Sequence, residues 1–131
     1  MEKFKSVIAE WLTSQLPKVV ERDISLPLDR DYIITVTGGR RSGKTFLLYQ
    51  TIQEILKRGI ASKDEILYID FEDYRLKGVS VDDLDKSLVS FTELTGKQPK
   101  YLFLDEIQNV KGYGSWFRKK INARVYLSGS S

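Results

Sequence analysis

Residues 38 to 45 read Gly-Gly-Arg-Arg-Ser-Gly-Lys-Thr, and this octet constrains the fold more than any other stretch of the chain. Gly38, four residues, then Gly43, Lys44 and Thr45 is the spacing of a phosphate-binding loop. The two glycines let the backbone turn tightly and approach a phosphate chain with no side chain in the way. Inward-facing amides then cradle an anion at the start of a helix, where the dipole also favours negative charge. The expected nucleotide-binding set is Gly38, Gly39, Arg40, Arg41, Ser42, Gly43, Lys44, Thr45 and Phe46. Within it, Lys44 is placed to reach the β- and γ-phosphates and the Thr45 hydroxyl to join the shell of a Mg²⁺ ion.

Such a loop works between a strand and a helix, and both flanks agree. Tyr32-Ile33-Ile34-Thr35-Val36-Thr37 is an apolar, β-branched run that suits a buried strand. Leu47, Leu48, Ile52, Ile55 and Leu56 recur at helical spacing after it, and Gly59 is placed to end that helix.

A second constellation lies downstream, where Tyr101-Leu102-Phe103-Leu104 runs into Asp105-Glu106. In an open parallel sheet, ligands sit beyond the carboxyl ends of the strands, so acids at that end face the same crevice as the phosphate loop. Asp105 is then expected to hold the Mg²⁺ ion through its water shell, beside Thr45, and Glu106 to be the base that polarises an attacking water. The bland reading, two acids capping the next helical stretch, leaves their distance from the loop, with one strand between, without a purpose.

The remaining segments supply the scaffold. Phe4, Val7, Ile8, Trp11, Leu12 and Leu16 form one helical stripe ahead of Pro17, a packing face rather than a membrane anchor. From Pro17 to Asp31 the chain reads as extended. Glu65 to Phe71 is a second strand; Ser80 and Asp83 form a capping box ahead of a helix that buries Val81, Leu84, Leu88, Phe91 and Leu94 and ends at Gly96. Trp116, Phe117 and Ile121 sit on a short helix, and Val125-Tyr126-Leu127 is a short fourth strand running into Ser-Gly-Ser-Ser. Alternating strands and helices predict an α/β chain with a mostly parallel sheet in three layers. Residues 1–31 are an N-terminal helix and extended lead-in, and 32–131 the nucleotide-binding core. Ending on a strand with no covering helix, the core reads as incomplete, part of a longer protein.

With no cysteine or histidine, disulfides and the usual zinc sites are excluded. A net charge of +3 is too small to argue for nucleic acid by itself. No apolar run approaches the roughly 20 residues that span a bilayer, and no secretory core is present, so cytoplasm is the expected compartment and no membrane the expectation.

The phosphate loop with its double arginine, Leu-Asp-Glu-Ile-Gln at 104–108 and the closing Leu-Ser-Gly-Ser-Ser resemble the archaeal-type P-loop ATPases of the AAA+ superfamily. The likeness extends to Arg22-Asp23, Leu26-Pro27 and Asp70-Phe71-Glu72-Asp73. It implies a P-loop NTPase fold truncated after the fourth core strand, with the sensor strand between the phosphate-loop strand and the acidic strand. It also implies Ser128 or Ser130 as the polar sensor that contacts the γ-phosphate or the attacking water. ATP and Mg²⁺ are the implied cofactors, and a homo-oligomer or partner protein the implied context in the full-length form. A helical lid, a C-terminal domain, a fifth strand and the family's arginine finger would all lie beyond Ser131.

ATP hydrolysis is therefore the leading expectation, with weak turnover. The alternative is a nucleotide-gated switch or binding module, with DNA as a candidate partner through Arg118-Lys119-Lys120 and Lys97 to Lys100, although these basic residues read better as solvated surface. A kinase fits less well, since a base for water would waste ATP. Helicases carry similar acidic boxes at longer spacing. The absence of an Asn-Lys-x-Asp motif favours adenine over guanine.

Overall fold

The computed structural model describes residues 2–17, 24–28, 33–39, 43–118 and 121–130. Four strands form one all-parallel sheet: β1 (Ile34–Gly38), β2 (Ile66–Asp70), β3 (Tyr101–Asp105) and β4 (Arg124–Ser130). Their spatial order is β1-β4-β3-β2, so β4 lies between the phosphate-loop strand and the acidic strand, as the family likeness implied. Helices α1 (Glu2–Thr13), α2 (Lys44–Lys57), α3 (Val81–Thr95) and the short α4 (Tyr113–Trp116) complete the α/β layers of a P-loop NTPase-like fold.

Strand alternation builds two cores. Leu67, Ile69, Leu102, Leu104, Val125 and Leu127 face one side, where they meet Phe4 and Ile8 of α1, Leu84 and Phe91 of α3, and Trp116. Ile66, Tyr68, Tyr101, Phe103 and Tyr126 face the other, against Leu48, Ile52 and Ile55 of α2. A fully buried Leu, Ile or Phe side chain contributes about 1.5–3 kcal/mol, so both helical layers are firmly held. Phe103 and Tyr126 stack with ring centroids 4.6 Å apart, tying β3 to β4.

Helix ends follow the local chemistry. Gly59 adopts φ +67, and the amides of Gly59 and Ile60 return to the carbonyls of Leu56 and Ile55, which closes α2. The Ser80–Asp83 capping box starts α3 and left-handed Gly96 ends it. Trp11 sits near the end of α1, and its indole N–H donates to Ile66 O at 2.9 Å, covering the β2 edge of the sheet.

Several expectations need correction. α1 stops at Thr13 rather than at Pro17, because the Pro17 ring would clash with the carbonyl four residues earlier, that of Thr13. Leu94 is 42% exposed. α3 has 15 residues, about 22 Å, and is longer than the five-residue strands, about 17 Å. Only Trp116 of the expected trio lies in α4; Phe117 is its C-cap and Ile121 falls outside it. β4 is not short: at seven residues it is longer than the five-residue β1, β2 and β3, and Ser128, Gly129 and Ser130 belong to it. β1 begins at Ile34; Tyr32 lies outside the described residues.

Candidate functional site

The carboxyl ends of β1, β3 and β4 converge on the first turn of α2. Gly43, at φ +90, turns the chain into that helix, a conformation that costs a side-chain-bearing residue energy. Lys44 and Thr45 follow at once, both aimed back at the sheet.

The Thr45 hydroxyl donates to Asp105 Oδ2 at 2.9 Å. Asp105 is 1% exposed, and hydroxyls from three elements satisfy its carboxylate: Thr45 from α2, Tyr68 from β2 at 2.7 Å, and Ser128 from β4. The Thr45 hydroxyl and the Asp105 carboxylate are oxygen donors, the ligand type that Mg²⁺ would take, the carboxylate through the ion's water shell. Among the described residues no group of three or more His, Cys, Asp or Glu side chains could hold a metal. As oxygen donors, Thr45 and Asp105 fit Mg²⁺.

Lys44 and Glu106 form the second half of the arrangement. The Lys44 ammonium donates to the carbonyls of Gly38 and Gly39, both at 3.1 Å, and to Ser130 Oγ at 2.9 Å; it lies 3.4 Å from Glu106 Oε1. Glu106 has φ 56 and ψ 49, the one non-glycine residue with positive φ among those described. Backbone strain of this kind persists only where the surroundings hold it. Here the Glu106 amide donates to Ser128 Oγ at 2.8 Å, and the Asn109 amide and side chain both donate to its carbonyl at 3.2 Å. Its carboxylate accepts from Ser130 at 2.8 and 2.9 Å and from Gln108 at 2.7 Å. Burial alone would raise the Glu106 pKa, but Gln108, Ser130 and Lys44 together outweigh it and hold the carboxyl below its ordinary value. The group is therefore ionised at neutral pH, able to accept a proton and to orient a water.

The AAA domain family matches residues 30–131. The chain belongs to the AAA domain family. It is 35% identical over 131 residues to an uncharacterized protein of Methanocaldococcus jannaschii, covering 98% of this chain and 28% of that protein. It is 32% identical over 106 residues to an uncharacterized protein of Haemophilus influenzae, covering 79% of this chain and 26% of that one. The chain thus spans about a quarter of the length of these curated relatives. No solved structure gives a significant match.

In this AAA domain a cavity of about 250 Å³ is lined by Gly43, Lys44, Thr45, Asp70, Glu72, Asp105 and Glu106. It is smaller than the roughly 300–1,000 Å³ of whole-ligand pockets and suits the phosphate end of a nucleotide. Asp70 and Glu72 extend the expected set. Burial pushes the Asp70 carboxyl above its ordinary value, and the carboxylates of Asp105, Glu72 and Asp73 add to the rise against one amide bond from Glu72. Two further residues escaped sequence reasoning. Tyr68 reaches Asp105, and Gln108 bridges Glu106 to the Ser130 amide, which donates to its Oε1 at 3.2 Å. The Asp-Glu-Ile-Gln string contained the second of these signals; nothing in the string Ile-Leu-Tyr-Ile-Asp marked the first.

The two sensor candidates separate. Ser128, fully buried, binds Asp105 and the Glu106 amide, whereas Ser130 contacts Lys44 and the Glu106 carboxylate. Phe46 is 48% exposed on the first turn of α2. Arg40, Arg41 and Ser42 lie outside the described residues, as do Lys119 and Lys120 of the basic stretch. Lys97 pairs with Asp64 at 3.0 Å and Lys100 with Glu65 at 2.9 Å, which suits paired surface charges rather than a phosphate-binding strip. No helix among the described residues is long and apolar enough to cross a membrane.

Proposed function

We propose that this AAA domain binds ATP with Mg²⁺ and hydrolyses the β–γ bond by attack of water. The observation that supports it most is the meeting of two motifs 60 residues apart, Thr45 on Asp105, beside the Lys44–Glu106 ion pair. The loop amides and the Lys44 ammonium bind and neutralise the β- and γ-phosphates. Thr45 and Asp105 hold Mg²⁺, which when bound offsets charge on the phosphate oxygens. Glu106, kept ionised, orients the attacking water and takes its proton on a carboxylate oxygen. Ser130 serves as the sensor toward the γ-phosphate, and Ser128 fixes the peptide between Asp105 and Glu106. ATP is preferred over GTP because no guanine motif is present.

Within the family we assign the chain to the archaeal-type branch, supported by its Asp-Glu-Ile-Gln box and its likeness to the M. jannaschii protein. Residues 1–31 act as a lead-in and 32–131 as the nucleotide-binding core of a cytoplasmic protein. An arginine finger supplied by a partner adds about 10³–10⁵ in rate, so turnover by the purified chain alone is slow. A second reading, a nucleotide-gated switch, draws support from the Lys44–Ser130 hydrogen bond, through which phosphate occupancy would rearrange the end of β4.

Phosphate release and ATP binding by the wild type and Glu106→Gln test the two. Hydrolysis requires that the variant bind ATP but release phosphate at least about 100-fold more slowly. Equal release rates would remove Glu106 from the chemistry and leave the switch.

A further inference from the structure

We propose that Tyr68 is a positioning residue for the metal site: its hydroxyl fixes the Asp105 carboxylate and so sets the affinity for Mg²⁺. This rests on the reading of Thr45 and Asp105 as the metal-binding pair. Asp105 Oδ2 accepts from Tyr68 at 2.7 Å and from Thr45 at 2.9 Å, while Ser128 holds Oδ1. A carboxylate can rotate about its last torsion, and three hydroxyls from β2, α2 and β4 remove that freedom. Of the three, Thr45 is itself a metal-binding residue and Ser128 also holds the Glu106 amide. Tyr68 has no such second duty toward the site.

The ring cannot retreat. Tyr68 is 6% exposed, with the Trp11 ring 5.4 Å and the Tyr49 ring 5.1 Å away, centroid to centroid. Trp11 is in turn anchored through its hydrogen bond to Ile66 O. Packing alone would be served by phenylalanine, and the cross-strand neighbour in register with Tyr68, on the same face, is Phe103. The hydroxyl is what distinguishes position 68; it donates to Asp105 and also shares a hydrogen bond with the Tyr49 hydroxyl, outside the metal pair. Partners that orient a metal-binding side chain change metal affinity by about 10–100-fold when removed.

The test is Tyr68→Phe, which keeps the ring. ATP binding is measured by calorimetry across a Mg²⁺ titration and again in EDTA, with a melting curve and the EDTA affinity reporting a folded pocket. The expected result is a Mg²⁺ half-saturation raised about 10–100-fold, with ATP affinity in EDTA within about twofold of wild type. A half-saturation within about twofold of wild type overturns the role of Tyr68 and leaves the metal pair standing. So does an equal loss in both arms, which would mark a purely structural hydroxyl. If the wild type shows no Mg²⁺ dependence, the metal pair itself fails and this inference with it.

Discussion

The Lys44 ammonium lies 3.4 Å from Glu106 Oε1, and both side chains are less than 10% exposed. Removing one member of a buried ion pair costs about 3–5 kcal/mol, because the other charge is left uncompensated. Ser130 and Gln108 still donate to Glu106, so Lys44→Ala should cost a smaller amount, about 1–3 kcal/mol. Adding Glu106→Gln removes the stranded charge and should recover most of that loss. Urea denaturation of the two single variants and the double variant measures the coupling; simple additivity would show that the pair is not energetically linked.

Gln108 donates to Glu106 Oε2 and helps to hold its pKa down. In Gln108→Ala the Glu106 pKa should rise, moving the acid limb of the rate profile to higher pH. Turnover should fall about 10-fold or more while ATP binding is kept, since the orienting contact is lost but the phosphate loop is not. A pH–rate profile and a binding isotherm on the same protein check both parts.

Trp11 is 7% exposed, buries its ring against Tyr68 and supplies the N–H for Ile66 O at the sheet edge. Trp11→Ala should destabilise the domain by about 3–5 kcal/mol, measured by denaturant unfolding. A loss below about 1 kcal/mol would mean that α1 is a loosely held appendage.

Glu65 accepts from the Ser62 amide and pairs with Lys100, which lower its pKa from 4.5 to about 2. Its folded pKa lies below the unfolded one, so its contribution is present above pH 4.5 and lost as pH falls through about 2. Glu65→Gln should therefore melt at a lower temperature than wild type at pH 7, and the difference should shrink between pH 4.5 and 2. Melting curves across that range decide it; a difference independent of pH would assign the effect to something other than the charge.

Local pattern made the phosphate loop, the acidic pair and the strand-helix alternation readable, because each depends on residues adjacent in sequence. What escaped depended on tertiary neighbours. Ser128-Gly129-Ser130 has the composition of a turn, yet these residues are strand because β4 runs beside β1, whose register pairs Val36 with Ser128 and Gly38 with Ser130. Tyr68 looked like one more apolar strand residue, since its partner Asp105 lies 37 positions away. Leu94 obeyed the helical period yet is 42% exposed in the fold. The placement of Asp105 beside Thr45 needed only the rule that ligands gather at strand carboxyl ends.

Calorimetric titration of the folded wild-type chain with ATP in Mg²⁺ probes the anion site most directly. A saturable single-site heat is predicted, weaker in EDTA and abolished by Lys44→Ala. No heat from folded wild type, or undiminished heat from Lys44→Ala, would contradict nucleotide binding at this loop.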